Sequence, residues 1–283
     1  MKFTKMHGLG NDFIIIDCLK DELKAPEKVA NKICRRHHGI GADGLIMMLP
    51  SKKADFKMRI FNPDGSEAEM CGNGIRCFAK YVYDYKLTEK KKFDVETLAG
   101  IIKPEIAKFV GGKAHMIRVD MGEPILERSK IPMRGPPGKV INEVLELDDR
   151  TLKLGNKELN ITAVSMGNPH AVIFVDTYDF PTEQVGKDIE EHKAFPKRTN
   201  VEFVQVVNRN ELNMEVWERG AGVTLACGTG ASAALVAAVL NKKTDRKAVV
   251  HLLGGDLDIE WASDNHVYLT GPAEEVYSGE IEI

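Results

Sequence analysis

The chain has 283 residues, a formal net charge of −3, 43% hydrophobic and 29% charged residues. That length suits two domains better than one core. The lack of a basic excess argues against nucleic acid as the main partner. No apolar run approaches the roughly 20 residues that span a bilayer. The opening Met1–His7 lacks a signal-peptide stretch, so a cytoplasmic location is expected. The five cysteines are Cys18, Cys34, Cys71, Cys77 and Cys227. An odd count in a chain of this kind reads as single reactive or buried structural thiols, not a disulfide framework.

In chain order, Gly10-Asn11 precedes an apolar strand ending at Asp17. Pro26 opens a helix with Val29 and Ile33 on one face. The run Arg35-Arg36-His37-His38 reads as that helix's C-terminus, where cations favour the dipole. A strand covers Met58–Asn62. A loop then leads to Met70-Cys71-Gly72-Asn73-Gly74-Ile75. Ile75, Phe78, Ala79, Val82 and Tyr83 follow at the spacing of one helical face. Residues 120–158 contain Pro132, Gly135-Pro136-Pro137-Gly138 and Asp148-Asp149-Arg150. That stretch reads as a crossing segment with extra strands.

Then the pattern returns. Cys227-Gly228-Thr229-Gly230 lies 156 residues after Cys71-Gly72-Asn73-Gly74. Ala231, Ala234, Leu235, Ala238 and Val239 repeat the apolar face. Met214–Glu218 repeats the strand, Val185 and Ile189 the earlier helix, and Gly167-Asn168 the opening pair. A motif that persists with its surroundings is a duplication. Each copy has about 115 residues. It reads as strand, helix, strand, strand, loop, Cys-Gly-x-Gly, helix, then strands.

The repeated motif has a chemistry. Glycines let a ligand approach the main chain. The first N–H groups of a helix lack intrahelical partners and favour a carboxylate or phosphate. A thiol at such an end can titrate lower than usual and act as a base near neutral pH. Two such thiols facing one carbon from opposite sides could remove a proton from one face and return one to the other. The expected reaction is racemisation or epimerisation next to a carboxylate, in a cleft between two pseudo-symmetric halves. No motif for pyridoxal phosphate, a nucleotide cofactor or a metal occurs, so no cofactor is expected. Cys18, Cys34 and Cys77 read as buried structural thiols.

Asn62 to Arg76 and Glu218 to Gly230 resemble the signatures of the diaminopimelate epimerase family. His7-Gly8-Leu9-Gly10-Asn11-Asp12-Phe13 and Gly167-Asn168-Pro169-His170-Ala171-Val172 are similar to it as well, so the likeness spans the chain. The resemblance implies an α+β protein of two pseudo-symmetric domains. Each would be a curled, mostly antiparallel sheet or barrel around a central helix. The expected domains are residues 1–118 plus 274–283, and 119–273. The implied reaction interconverts LL- and meso-diaminopimelate without pyridoxal phosphate, in lysine biosynthesis.

By the same resemblance Cys71 and Cys227 are the acid/base thiols. Backbone amides of Gly72, Asn73, Gly228 and Thr229 receive the reacting carboxylate. Asn11, Asn62, Asn168, Asn200, Glu218 and Arg219 hold the rest of the substrate. His170 and Glu218 support activity, and a homodimer is implied. One departure is Gly44, aligned with Asn200 in the repeat, where many members carry Gln. Proline racemase-like enzymes typically have His where Asn73 stands. Phenazine-type isomerases have a carboxylate where Cys71 stands.

Overall fold

A computed structural model describes residues 1–21, 23–146 and 158–282. The chain forms two compact units, Met1–Asp120 with Thr270–Ile283, and Met121–Leu269.

The first unit contains β1 (Lys2–Gly8), β2 (Asn11–Asp17), α1 (Pro26–Ile33), β3 (Gly44–Leu49), β4 (Phe56–Phe61) and β5 (Glu67–Ala68). After these come α2 (Gly72–Asp84), β6 (Val95–Thr97), β7 (Gly100–Ile102), β8 (Glu105–Val110) and β9 (Lys113–Asp120). The second unit contains β10 (Glu143–Glu146), β11 (Glu158–Ser165), β12 (Pro169–Phe174), α3 (Thr182–Glu190), β13 (Asn200–Asn208) and β14 (Glu211–Glu218). It continues with β15 (Gly222–Val223), α4 (Gly228–Leu240), β16 (Lys247–Leu252) and β17 (Gly255–Trp261). β18 (Val267–Pro272) carries the chain back to the first unit, which β19 (Glu274–Glu280) completes.

The first unit's sheet runs β19-β1-β2-β3-β4-β6-β7, with β5 on β4 and a β8–β9 hairpin besides. The second unit's strands run β10-β11-β12-β13-β14-β16-β17-β18, with β15 on β14. Two pairs in each unit are parallel: β2 with β3 and β4 with β6, then β12 with β13 and β14 with β16. Each parallel pair is joined through a helix, as parallel pairing requires a long crossover. The sheets are therefore mixed but mostly antiparallel, as expected, and among the described residues neither closes into a barrel, which removes only the barrel alternative.

The duplication holds to the register. Phe13 opposite Gly44 is repeated as His170 opposite Asn200. Phe61 opposite Glu67 is repeated as Trp217 opposite Val223. Helices α2 and α4 have 13 residues each and begin directly after the two cysteines. Four residues of each helix's apolar face are buried and the fifth, Tyr83 or Val239, is half-buried. α4 is apolar on nearly every side, the pattern of a helix enclosed within its unit.

The short helices anchor the same way. α1 sets Val29 and Ile33 against Ile14, Ile16, Leu45 and Met47. α3 sets Val185 and Ile189 against Ile173, Val201 and Phe203. The basic run lies beyond α1, which stops at Ile33. Arg36 instead forks onto Asp12 with two 3.0 Å bonds and reaches Asp43 at 2.6 Å. Its charge is neutralised by carboxylates, not by the dipole. Pro132 and Gly135–Gly138 lie in the second unit, between a 3-10 turn at Arg128–Lys130 and β10. Asp148-Asp149-Arg150 lies outside the described residues. Among those described, no helix is long and apolar enough to cross a membrane.

Candidate active site

Cys71 is the N-cap of α2, in extended backbone at φ −141° and ψ 123°. Cys227 is the N-cap of α4, at φ −122° and ψ 109°. Each cysteine carbonyl accepts the first intrahelical bond, from Ile75 or Ala231, at 2.9 Å. The N–H groups of Gly72 and Asn73, and of Gly228 and Thr229, fall in the first turn, where no intrahelical carbonyl is available. Each unit thus places a thiol beside the first-turn backbone N–H groups at the positive end of a helix.

In the first unit the Sγ of Cys71 lies 3.7 Å from Oδ1 of Asn11 and donates to it. Nδ2 of Asn73 donates to the same oxygen at 3.0 Å. Asn11 is itself held, because its Nδ2 donates to Asp43 at 2.9 Å. Asn73 is held by Arg76, whose Nη2 donates to its Oδ1 at 2.9 Å. Arg76 is completely buried and also donates to the carbonyls of Gly72 and Pro272. Cys71, Asn11 and Asn73 are therefore one cluster. Asn62 is half-buried in the turn after β4, donating to Ser66 Oγ at 2.9 Å.

In the second unit the Sγ of Cys227 accepts from the backbone N–H of Gly230 at 3.4 Å, a sulfur doing the work of an N-cap oxygen. It also lies 3.5 Å from Oγ1 of Thr229. Asn168 donates from Nδ2 to Thr229 Oγ1 at 3.3 Å. Nε2 of His170 meets Asn168 Oδ1 at 3.0 Å, and its Nδ1 meets Oε1 of Glu202 at 2.6 Å. Asn200 accepts from the backbone N–H of Arg219 at 2.9 Å and donates to Pro169. Arg219 is exposed, with Nη1 on the Lys197 carbonyl. Glu218 accepts from Thr224 Oγ1 at 2.5 Å.

The charge around Cys227 runs against the simple expectation of a lowered thiol. Burial pushes this thiol well up, and the Glu218 and Glu202 carboxylates push it further. The Thr229 hydroxyl and Gly230 N–H pull the other way without prevailing. These surroundings favour the protonated form of the Cys227 sulfur. Cys34 and Cys77 are also driven up by burial, to about 11 and about 12, and sit in the core.

Two supporting side chains, Asp43 and Glu202, lie outside every motif quoted from the sequence, and a third, Arg76, closes the Asn62–Arg76 motif but was assigned no role there. Each fixes a residue of a motif. Glu202 left one signal, a carboxylate inside the otherwise apolar run Val201–Val204. A single charge in such a strand needs a buried partner.

A family model described as diaminopimelate epimerase matches residues 3–127 and 162–276. A diaminopimelate epimerase from Pelotomaculum thermopropionicum is 58% identical, over 99% of this chain and 98% of that protein. One from Acetivibrio thermocellus is 55% identical, over 100% and 99%. One from Methanococcus maripaludis is 52% identical over the whole of both chains. Among solved structures, a PhzF-family phenazine biosynthesis protein from Bacillus anthracis superposes with a TM-score of 0.72 at 17% identity, over 100% and 99% of the two chains. A hydroxyproline epimerase from Agrobacterium vitis, with bound trans-4-hydroxy-L-proline, gives 0.66 at 13%, over 99% and 90%. At those identities the two structures share the fold alone. The sequence matches, spanning both cysteine motifs, settle the kinship: the chain belongs to the diaminopimelate epimerase family.

Proposed function

We propose that this protein is a diaminopimelate epimerase, an isomerase that interconverts LL-2,6-diaminopimelate and meso-diaminopimelate in lysine biosynthesis. The observation that carries the reading is the matched pair of N-cap cysteines, one per repeat, each at the N-terminus of a 13-residue helix. Family membership supplies the substrate.

One thiolate takes the α-proton, and the thiol on the opposite face delivers its proton to the same carbon. The two sulfurs exchange states in each turnover. The intervening carbanion puts charge on the α-carboxylate. N–H groups of Gly72, Asn73, Gly228 and Thr229 are suited to hold that charge. Asn11, Asn62, Asn168, Asn200 and the exposed Arg219 fork suit the ammonium and distal carboxylate of the substrate. Glu218 suits an ammonium, and His170 supports the Cys227 end. The reaction needs no pyridoxal phosphate, because two fixed bases and oriented amides replace the electron sink. The protein works as a homodimer, as the family resemblance implies.

The test is incubation with LL-diaminopimelate in D₂O without added cofactor, using wild type, Cys71→Ala and Cys227→Ala. The expected result is α-deuterium and meso product with wild type, and loss of both in each variant. Wild type that exchanges proline or hydroxyproline and leaves diaminopimelate untouched would move the assignment to a neighbouring class.

A further inference from the structure

His170 and Glu202 are both fully buried and face each other at 2.6 Å. The duplication gives their counterparts in the first unit as Phe13 and Ile46, by the register of β2 with β3 and of β12 with β13. One half packs hydrocarbon at these positions and the other packs two ionisable groups. A buried carboxyl costs several kcal/mol unless its oxygens are satisfied or it is neutral. Oε1 of Glu202 is satisfied by His170, while Oε2 has no hydrogen-bond partner.

The carboxyl reaches the reacting thiol's surroundings because of a glycine. A Cβ on Gly230 would lie 2.9 Å from Oε1 of Glu202 and 3.3 Å from Sγ of Cys227. Carboxyl and thiol thus flank the same backbone carbon. The ionisable groups facing this place are His170 from β12, Glu218 from the end of β14 and Cys227 from the cap of α4.

The hydrogen bonds form one chain from Glu202 through His170, Asn168 and Thr229 to Cys227. Every member between the ends both donates and accepts, so the chain has two consistent directions. In one, the Glu202 acid donates to Nδ1 of His170 and Nε2–H donates to the Asn168 oxygen. The Asn168 amide then donates to Thr229, and the Thr229 hydroxyl donates to a Cys227 thiolate. In the other, Nδ1–H donates to a Glu202 carboxylate and the Asn168 amide is turned over to donate to Nε2. Its oxygen then accepts from Thr229, and Thr229 accepts from the Cys227 thiol. Both forms carry the same number of protons. The proton leaving sulfur goes to substrate or solvent, and Glu202 takes up its proton from solvent.

We propose that Glu202 and Cys227 share one negative charge, so that a thiolate at 227 goes with a carboxylic acid at 202 and a thiol at 227 with a carboxylate. Glu202 is then a positioning residue for the thiol that ends each forward proton delivery as an anion. The coupling matters to catalysis through the epimerase reading above, yet it exists in the substrate-free protein. Burial and the nearby Glu218 raise the Glu202 carboxyl, which keeps its protonated form accessible.

The test is the pH dependence of iodoacetamide alkylation at Cys227, resolved by peptide mass spectrometry, in substrate-free wild type and Glu202→Gln. A glutamine at 202 carries no charge, so the carboxylate that opposes a thiolate at 227 is gone, and its amide can donate to Nδ1 in the direction that points the Thr229 hydroxyl at sulfur. The Cys227 midpoint is expected to fall by about one unit or more, which is about tenfold faster alkylation below the midpoint. Cys34 and Cys77 serve as controls that do not move. An unchanged Cys227 midpoint in folded Glu202→Gln overturns the proposal. Should that variant fail to fold, the pair His170→Phe with Glu202→Ile copies the packing of the first half and removes the shared charge. The same downward shift is expected there, and its absence is equally fatal. The titration uses no substrate, so a failure of the diaminopimelate assignment leaves its outcome readable.

Discussion

Gly44 and Asn200 stand at the same register position in the two halves, opposite Phe13 and His170. Asn200 uses its side chain to tie the end of β14 to β12, through the Arg219 N–H and the Pro169 carbonyl. Gly44 has no side chain, and a Cβ there would lie 3.2 Å from the Phe61 carbonyl and 3.3 Å from the Phe13 ring. Gly44→Ala is therefore expected to destabilise by about 1 kcal/mol through overpacking. A thermal melt would show a midpoint lower by a few degrees. An unchanged midpoint would mean that the Phe13 ring yields freely.

Arg76 is the most demanding residue to replace. It serves Asn73 and the carbonyls of Gly72 and Pro272 at once. Arg76→Met takes a charged donor away from each of these buried acceptors, an expected loss of about 3 kcal/mol by urea unfolding. Arg76→Lys keeps the charge and loses the fork. Its expected mark is an epimerisation kcat/KM reduced about tenfold or more, because Asn73 and then Asn11 lose their orientation. Wild-type kinetics in the lysine variant would show that charge alone suffices.

Acid stability should depend on Asp12. Burial raises this carboxyl, but bonds from Arg36 and Lys5 outweigh it and bring it down to about 2. A lowered folded-state value stabilises above the unfolded value and loses that contribution as pH falls through the folded one. The window is pH 4 down to about 2, and the contribution is about 2 kcal/mol. Asp12→Asn is expected to be less stable than wild type at pH 7, with a flatter decline across that window. Parallel curves for the two proteins would remove Asp12 from the account.

The two motif glycines should respond differently to alanine. On Gly230 a Cβ meets the Glu202 carboxyl at 2.9 Å, and that carboxyl is pinned by His170. On Gly74 it meets the methyl ends of Ile46 and Ile60 at 3.3 and 3.4 Å. Alanine also gains about 0.5–1 kcal/mol of helix propensity at either site. Gly230→Ala is expected to lose about 2 kcal/mol net, and Gly74→Ala to stay within about 1 kcal/mol of wild type. Equal effects in urea unfolding would show that the Glu202 side chain moves aside.

The duplication, both N-cap cysteines and the helices behind them were legible because glycine spacing and apolar periodicity are local properties. Asn11, Asn73, Asn168 and His170 were legible through motif resemblance. What escaped is what the two halves do not share. Glu202 answers to Ile46, and Arg76 to Ser232, whose hydroxyl meets the Gly228 carbonyl at 2.9 Å as Arg76 meets that of Gly72. A search for sameness between copies passes over such pairs. The basic run after α1 was misread for a related reason. Arg36 bonds Asp12, 24 residues before it, and Asp43, across the turn into β3, whereas local rules assign a cation to the nearest dipole.

β19 lies against β1, with Phe3 opposite Gly279 and the Met1 amine on the Ile281 carbonyl. The first unit thus takes its edge strand from residues made some 150 positions after β9, once the whole second unit has been translated. On the ribosome, β1 must wait with its edge open while the continuous unit Met121–Leu269 emerges and folds. An open edge is a site for wrong pairing between nascent chains. The half of the protein that is synthesised first is the half that is finished last.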